Sequence, residues 1–421
     1  MEEGRPAPAS VSSRGLRALV LIAVALLAVA ASGFLYLRPA PIARHPAAAI
    51  PPADGGSVLS FAFFDQSAGW AVLVGRAGVS GPNTPMSIVR TSDGGRHWKR
   101  ANVPGVASYM QTKFFDATHG IVWTRTPSGP ILYSTADGGQ HWRSLKLPGQ
   151  GNDDFASSVF LDPRRGWYLE GATPALPNLA NAEVSQQPFL LWRTLDGGAT
   201  WSQLLGVDAA HPSAGGLSYD GFKSLGNFSD ERHGSLGWAP SGLLGSAPSE
   251  TFYVTADGGQ SWTPLAVPSP PDALVREASR GMSFRLFRLR DLLVELVGAA
   301  APSGLRYFTR VSADGGASWT ALRPLPIGPV SRLVLPQFED SRHWSIAADR
   351  LLWVSPDAGE TWQSRAPAIP ASLSMQDLQV VGRGVIWAVG AKVDAPDYLL
   401  RSRDGGVHWE DQGPPSLQLA S

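Results

Sequence analysis

Short runs in which apolar and polar residues alternate, cut apart by Gly- and Asp-containing turns, make up nearly all of the chain beyond residue 56. Ser57–Phe64 is rich in β-formers and ends at Asp65, the residues Gln66 to Gly69 read as a turn, and Trp70–Val74 alternates again. Ser87–Thr91 is a third run, Asp93-Gly94-Gly95 turns the chain, and Trp98 opens a fourth. Period-two alternation bounded by turn residues marks strands, and four strands in close succession predict one antiparallel meander. The second unit has the same grammar: Thr112–Phe115, Asp116 to Gly120, Ile121–Thr124, Ile131–Thr135, Asp137 and Trp142. The first turn recurs as Asp162-Pro163-Arg164-Arg165-Gly166-Trp167 and as Asp230-Glu231-Arg232-His233-Gly234. The fifth and seventh units lose it but keep the second turn. No helical periodicity separates the units.

That second turn is a pattern, Ser/Thr-x-Asp-x-Gly-x-x-Trp, present seven times. Its aspartates are Asp93, Asp137, Asp196, Asp257, Asp314, Asp357 and Asp404, and its tryptophans Trp98, Trp142, Trp201, Trp262, Trp319, Trp362 and Trp409. The aspartates stand 44, 59, 61, 57, 43 and 47 residues apart, a loose period of the kind that builds propellers. The expected fold is all-β: a seven-bladed β-propeller of four-stranded antiparallel blades over residues 57–412, with a short tail at 413–421. Turn construction accounts for each residue type. The carboxylate accepts backbone N–H groups of its own loop, glycine permits positive φ, and the indole packs between units. One carboxylate per turn is too few for calcium, so these residues are read as structural.

The pattern resembles the Asp-box, or BNR, repeat of sialidases and sortilin-like receptors. The pairing of an Asp-x-x-x-Gly-Trp turn with Thr-x-Asp-Gly-Gly-x-x-Trp, clearest over Phe63–Trp98 and Phe160–Trp201, is most similar to the Ycf48-like family of photosystem II assembly factors and bacterial relatives. The resemblance implies an extracytoplasmic, non-enzymatic propeller that binds assembling membrane or envelope proteins. The alternative it leaves open is a carbohydrate-active protein that binds or cleaves a glycan. Sialidases of this kind resemble one another in an Arg-Ile-Pro segment, which is absent here.

The N-terminus bears on location. Ala18 to Leu37 is an uncharged, mostly apolar run, long enough as a helix to cross a hydrocarbon core of ~30 Å. Arg5, Arg14 and Arg17 precede it, which favours a cytoplasmic tail at 1–17, a single transmembrane helix at 18–37 and an extracytoplasmic body. Ala28-Val29-Ala30 offers a cleaved signal peptide as the rival. Residues 38–56, rich in Pro and Ala, read as a linker. Lys+Arg and Asp+Glu balance at 35 each, so no basic field invites nucleic acid. Cysteine is absent, which removes disulfides and thiolate metal sites.

Candidate chemistry is sparse. His97, His141 and His408 precede repeat tryptophans, while His119, His233 and His343 sit in first turns, so they fall on separate blades and no metal or cofactor is expected. Asp153, Asp154, Glu170, Asp220 and Glu250 are the acids by loop position that could pair for glycosidic chemistry. In Arg285-Leu286-Phe287-Arg288-Leu289-Arg290, alternation places 286, 288 and 290 on one face, which reads as a solvated strand with arginine stems over apolar neighbours. Long insertions at Gly171–Pro188, Gly206–Gly221, Ala239–Glu250 and Val267–Gly281 gather on the third to fifth blades. They are expected on the face opposite the aspartate turns, as a partner-binding rim that includes Leu176, Leu179, Tyr219 and Leu243.

Overall fold

The computed structural model describes residues 57–74, 86–106, 111–126, 129–148, 157–171, 188–239, 251–290, 292–330, 335–348, 351–365, 374–382, 384–391, 397–413 and 415. Their strands form seven four-stranded antiparallel sheets and one two-stranded hairpin, with strand order following the chain in every sheet. Blade I is β1 (Ser57–Phe63), β2 (Gly69–Val74), β3 (Met86–Thr91) and β4 (Lys99–Arg100). Blade II is β5 (Gln111–Phe114), β6 (Gly120–Thr126), β7 (Gly129–Thr135) and β8 (Arg143–Leu145). Blade III is β9 (Ser157–Phe160), β10 (Gly166–Gly171), β11 (Phe189–Thr194) and β12 (Ser202–Val207), followed by the hairpin β13 (Ser213–Ala214) and β14 (Leu217–Ser218). Blade IV is β15 (Phe222–Phe228), β16 (Gly234–Ala239), β17 (Thr251–Thr255) and β18 (Thr263–Leu265). Blade V is β19 (Met282–Leu289), β20 (Leu292–Ala301), β21 (Gly304–Ser312) and β22 (Arg323–Pro324). Blade VI is β23 (Gln337–Phe338), β24 (Trp344–Ala348), β25 (Leu351–Ser355) and β26 (Gln363–Arg365). Blade VII is β27 (Ser374–Gly382), β28 (Val385–Ala391), β29 (Tyr398–Ser402) and β30 (Glu410–Asp411). The expected seven-bladed propeller is therefore what these residues form.

A blade is too thin to bury both of its faces alone, so the apolar core is divided among the junctions. One cluster joins Phe63, Leu73 and Val89 of blade I to Trp387, Val389 and Leu399 of blade VII, and corresponding clusters fill the other junctions. The recurring mortar is an indole at the start of the second strand, lying flat on a phenylalanine at the end of the next blade's first strand. Trp70 stacks on Phe114 at 4.5 Å, Trp167 on Phe228 at 3.6 Å and Trp387 on Phe63 at 3.5 Å, all within 8° of parallel. The glycines before Trp70 and Trp167, and Gly234 in the same slot of blade IV, have their own reason. The phenylalanine of the same blade covers each so closely that a Cβ on Gly166 or Gly234 would stand 2.5 Å from the ring.

The ring closes without exchange of a strand, since blades I and VII are each built from consecutive strands. Closure uses the stack of Trp387 on Phe63 and three kinds of bond. Gln379 holds the Phe63 backbone on both sides, accepting from its N–H at 2.7 Å and donating to its carbonyl at 2.9 Å. Trp387 Nε1 donates to Asp65 O at 3.0 Å, and the buried Arg401 donates to Gln66 O at 2.7 Å. Such side-chain links count most where the backbone is shielded from water, as at the buried Phe63.

Several features depart from the sequence reading. A short helix, α1 (Asp272–Glu277), lies within the insertion Val267–Gly281, and its Leu274 is buried with Met282 and Ala299. In blade VI the glycine slot is taken by Trp344, which meets Phe338 edge-on. The run 18–37 expected to cross a membrane lies outside the described residues. Among those described, no helix is long and apolar enough to do so.

Candidate functional site

The aspartate turns are built alike. In blade I, Thr91 Oγ1 donates to Asp93 Oδ1 at 2.9 Å and accepts the Gly95 N–H at 2.9 Å. The same carboxylate accepts the His97 N–H, and Trp98 Nε1 donates to Gly95 O. Each hydroxyl thus bonds both the carboxylate and the loop backbone, and Gly94 and Gly95 both take positive φ. Burial would raise the Asp93 pKa, but bonds from His97 and Thr91 outweigh it and hold the carboxyl at about 2. Asp257 is held at about 2 against burial by Ser261 and Thr255. The same kinds of bond lower Asp137, Asp196, Asp314, Asp357 and Asp404. Trp142 Nε1 and Trp319 Nε1 reach the preceding blade, donating to Ala101 O and Ala266 O, whereas Trp262 and Trp409, like Trp98, bond a glycine carbonyl of their own turn.

First turns and aspartate turns share one face of the ring. Gly94, Gly138, Gly197 and Gly258 of the aspartate turns donate to carbonyls of Ser67, Thr118, Arg164 and Arg232 of the first turns. The second-to-third loops and the links between blades accordingly leave from the other face. All seven described histidines, at 97, 119, 141, 211, 233, 343 and 408, place Nδ1 within 3.2 Å of an aspartate three or four residues upstream. They are local turn partners spread around the ring, His119 and His141 in the two turns of blade II. Among the described residues no group of three or more His, Cys, Asp or Glu could hold a metal ion. Of the candidate acids, Glu170 is buried and accepts Trp192 Nε1 at 3.0 Å, while Asp153, Asp154 and Glu250 lie outside the described residues.

The arginine run requires a correction. Met282, Phe284 and Leu286 of β19 are buried against blade IV, and Arg288 follows them on that face. It lines a cleft between blades rather than an open strand face. Arg290 lies in the turn at φ 52°.

Of the proposed rim, Leu176, Leu179 and Leu243 lie outside the described residues. Tyr219 is half-buried on the core between blades III and IV. The insertion Gly206–Gly221 folds back as the β13–β14 hairpin, so that Gly215 O accepts the Trp262 N–H at 2.6 Å beside an aspartate turn. Between Tyr219 and the roots of the loops 172–187 and 240–250 stands a patch that sequence reasoning missed. Trp238 Nε1 and Lys223 Nζ both donate to Asp220 O at 2.6 Å, and Lys223 Nζ also donates to Gly221 O at 3.0 Å. The ammonium lies 5.0 Å from the centre of the Phe189 ring. Burial pushes the Lys223 pKa down to about 8, against a smaller upward pull from Asp220. Lys223 and Trp238 are cross-strand partners. Counting back from the pairing of Phe228 with Gly234 sets Lys223 opposite Ala239; the register shift between Leu225 and Phe228 brings Trp238 there instead.

The fold and these surfaces define a seven-bladed β-propeller whose turn carboxylates and histidines are tied into local loops. No protein-family model and no curated protein matches the chain. Among solved structures, it is similar to YCF48 bound to a D1 peptide, with 19% identity over 83% of this chain and 94% of that one and a TM-score of 0.47. YCF48 from Cyanidioschyzon merolae gives 17%, 84%, 97% and 0.47. A prolyl endopeptidase reaches a TM-score of 0.52 at 11% identity, over 86% of this chain and 49% of its own. At these identities the likeness extends to the fold alone.

Proposed function

We propose that the chain is a membrane-anchored, extracytoplasmic propeller that scaffolds a membrane or envelope protein rather than transforming a substrate. The observation that carries this reading is the patch of Tyr219, Lys223 and Trp238 at the roots of two long loops on the face opposite the aspartate turns. Half-exposed aromatic rings beside a cation on a rigid frame suit a protein contact, where Trp and Tyr anchor and the surrounding loops adapt. The motif unit shared with Ycf48-like proteins supports the same class, and the apolar run 18–37 supplies the anchor.

The test is to crosslink the tagged full-length chain in membranes of its native host and identify what co-purifies. The reading expects a discrete membrane or envelope protein, lost when 172–187 is deleted or Trp238 is changed to Ala in a folded variant. Recovery of the same complex from both variants would remove this patch, and specific retention of a glycan instead would replace the scaffold by a carbohydrate-binding role.

A further inference from the structure

The first strands of the blades meet one another around the axis of the ring. Ser60 of β1 lies 3.5 Å from Thr112 of β5, hydroxyl to hydroxyl, Ser158 of β9 donates to Gln111 of β5, and Gln379 of β27 holds Phe63 of β1. β1 therefore stands beside the axis, and its pairing fixes its direction. Phe63 pairs with Gly69 at the first turn, where the Ser67 carbonyl accepts the Gly94 N–H, so this end lies on the aspartate-turn face. Ser57 pairs with Val74 at the other end, on the face of the second-to-third loops. The chain thus enters the ring close to the axis and on the loop face. Asp397, the residue before β29 of blade VII, pins that entry by accepting the Val58 N–H at 2.8 Å.

Residues 38–56, nineteen in number, join this entry to the apolar run 18–37. Fully extended they span at most ~65 Å. With the loop face toward a membrane, the path from the run to the ring is direct and most of that length is slack. With the aspartate-turn face toward it, the same residues must leave the axis, cross the three ~4.8 Å spacings of a four-stranded blade and run the height of the ring, ~34 Å for the ten residues of β20. That detour takes ~50 Å before any side chain is cleared. It leaves the linker nearly taut, and a taut chain gives up conformational entropy at every residue. The patch of Tyr219, Lys223 and Trp238 lies on the loop face, and an aromatic and cationic set of this kind suits the boundary between bilayer and water.

We propose that the propeller is held with its loop face toward the membrane, so that this patch faces the bilayer surface from which a membrane-protein partner emerges, and the aspartate-turn face looks away. The orientation rests on the membrane-anchored reading above.

The chain has no cysteine of its own, so single cysteines report position cleanly. Ser303 in the β20–β21 turn and Ala313 in the aspartate turn are exposed at opposite ends of β21, nine residues or ~30 Å apart. Pro104 in the link after blade I and Ala136 in the aspartate turn of blade II are a second exposed pair across the ring. Each full-length variant, Ser303→Cys, Ala313→Cys, Pro104→Cys or Ala136→Cys, is labelled with a maleimide fluorophore. It is then reconstituted into phosphatidylcholine vesicles that carry a headgroup-labelled acceptor lipid, and recovered by flotation. Energy transfer from the labels at 303 and 104 is expected to exceed that from 313 and 136 about fivefold, given the ~30 Å step between the faces. Equal transfer from the two faces, the reverse order, or opposite orders in the two pairs would overturn the orientation and leave the anchor standing. A full-length chain that does not float removes the anchor and the orientation with it. Should one variant fail to fold, the other pair decides.

Discussion

Blade V carries an ion pair where every other blade carries an apolar pair, and this allows a sharp test of how the fold is held. Glu295 on β20 stands directly opposite Arg310 on β21. The same position is Ala71 with Val89, Val122 with Tyr133, Tyr168 with Trp192, Leu236 with Tyr253, Ile346 with Trp353 and Ala388 with Leu400. Glu295 is 2% and Arg310 4% exposed, with Nε donating to Oε2 at 2.5 Å. Burial pushes the Glu295 carboxyl above its ordinary value even though Arg310 pulls it down. The pair therefore costs nearly as much to bury as it returns, and its parts are not interchangeable with its sum. Removing one partner strands a buried charge at a cost of about 3–5 kcal/mol, whereas a well-packed apolar pair is neutral or up to ~4 kcal/mol better.

Arg310→Met should thus destabilise by about 3–5 kcal/mol at pH 7. The double change Glu295→Leu with Arg310→Tyr copies the blade IV pair and should recover most of that loss. Denaturant unfolding of wild type, both single variants and the double variant gives the coupling. A pH arm checks the cause. A carboxyl whose pKa is raised by folding is favoured in its protonated form, so stability falls as pH rises from the unfolded value of about 4.3 toward the folded one. Arg310→Met should therefore be less damaging at pH 4.5 than at pH 7. A single variant costing under about 1 kcal/mol, or a double as costly as the single, would refute the view that the charge is uncompensated without its partner.

Three further outcomes are expected. Gly166→Ala sets a methyl 2.5 Å from the Phe160 ring and should cost about 1–3 kcal/mol, while Gly328→Ala, with no described atom within 4 Å, should be near neutral in the same melts. Trp387→Ala removes a fully buried indole and the seam bond to Asp65 O. It should cost about 3–5 kcal/mol and show first as proteolysis near residues 397–413. The aspartates of the second turns are all lowered by their bonds, so the stability they lend is complete above about pH 4 and is lost as pH falls toward 2. Circular dichroism against pH should show cooperative loss in that window, and an unchanged spectrum at pH 2 would contradict it.

The blade count and the aspartate turns were legible because each is a local device. Thr91, Asp93, Gly95 and Trp98 complete their bonds within eight residues, so spacing alone exposes them. The glycine before Trp70 was visible as a letter, but its reason, the Phe63 ring lying over it, needs the register of β1 on β2. The closure of the ring, the fold-back of Gly206–Gly221 and the patch at Lys223 were illegible for the same cause. Each depends on contacts between blades, across sequence distances as large as that between Phe63 and Gln379, and on a register that bulges reset.

A repeat fold also makes its exceptions informative. When seven units solve one packing problem, a position that breaks the solution without an obvious repair is where a second requirement is expected. Trp344 in a glycine slot is repaired, since its ring meets Phe338 edge-on. The Glu295–Arg310 pair is repaired internally by its own bond. Ser235 and Val254 have counterparts in Ser345 and Val354 of blade VI, and blades V and VII both shorten the first turn, so these are variants within the repeat rather than a break at one junction. Gly94, Gly138 and Gly258, crowded by arginines from the neighbouring blade, show what a sealed junction looks like. On that contrast, the arginine contact seals only the junctions that Arg90, Arg193 and Arg401 reach, and the apolar clusters hold the others, as Phe252 and Leu265 with Phe284 and Leu286 do between blades IV and V.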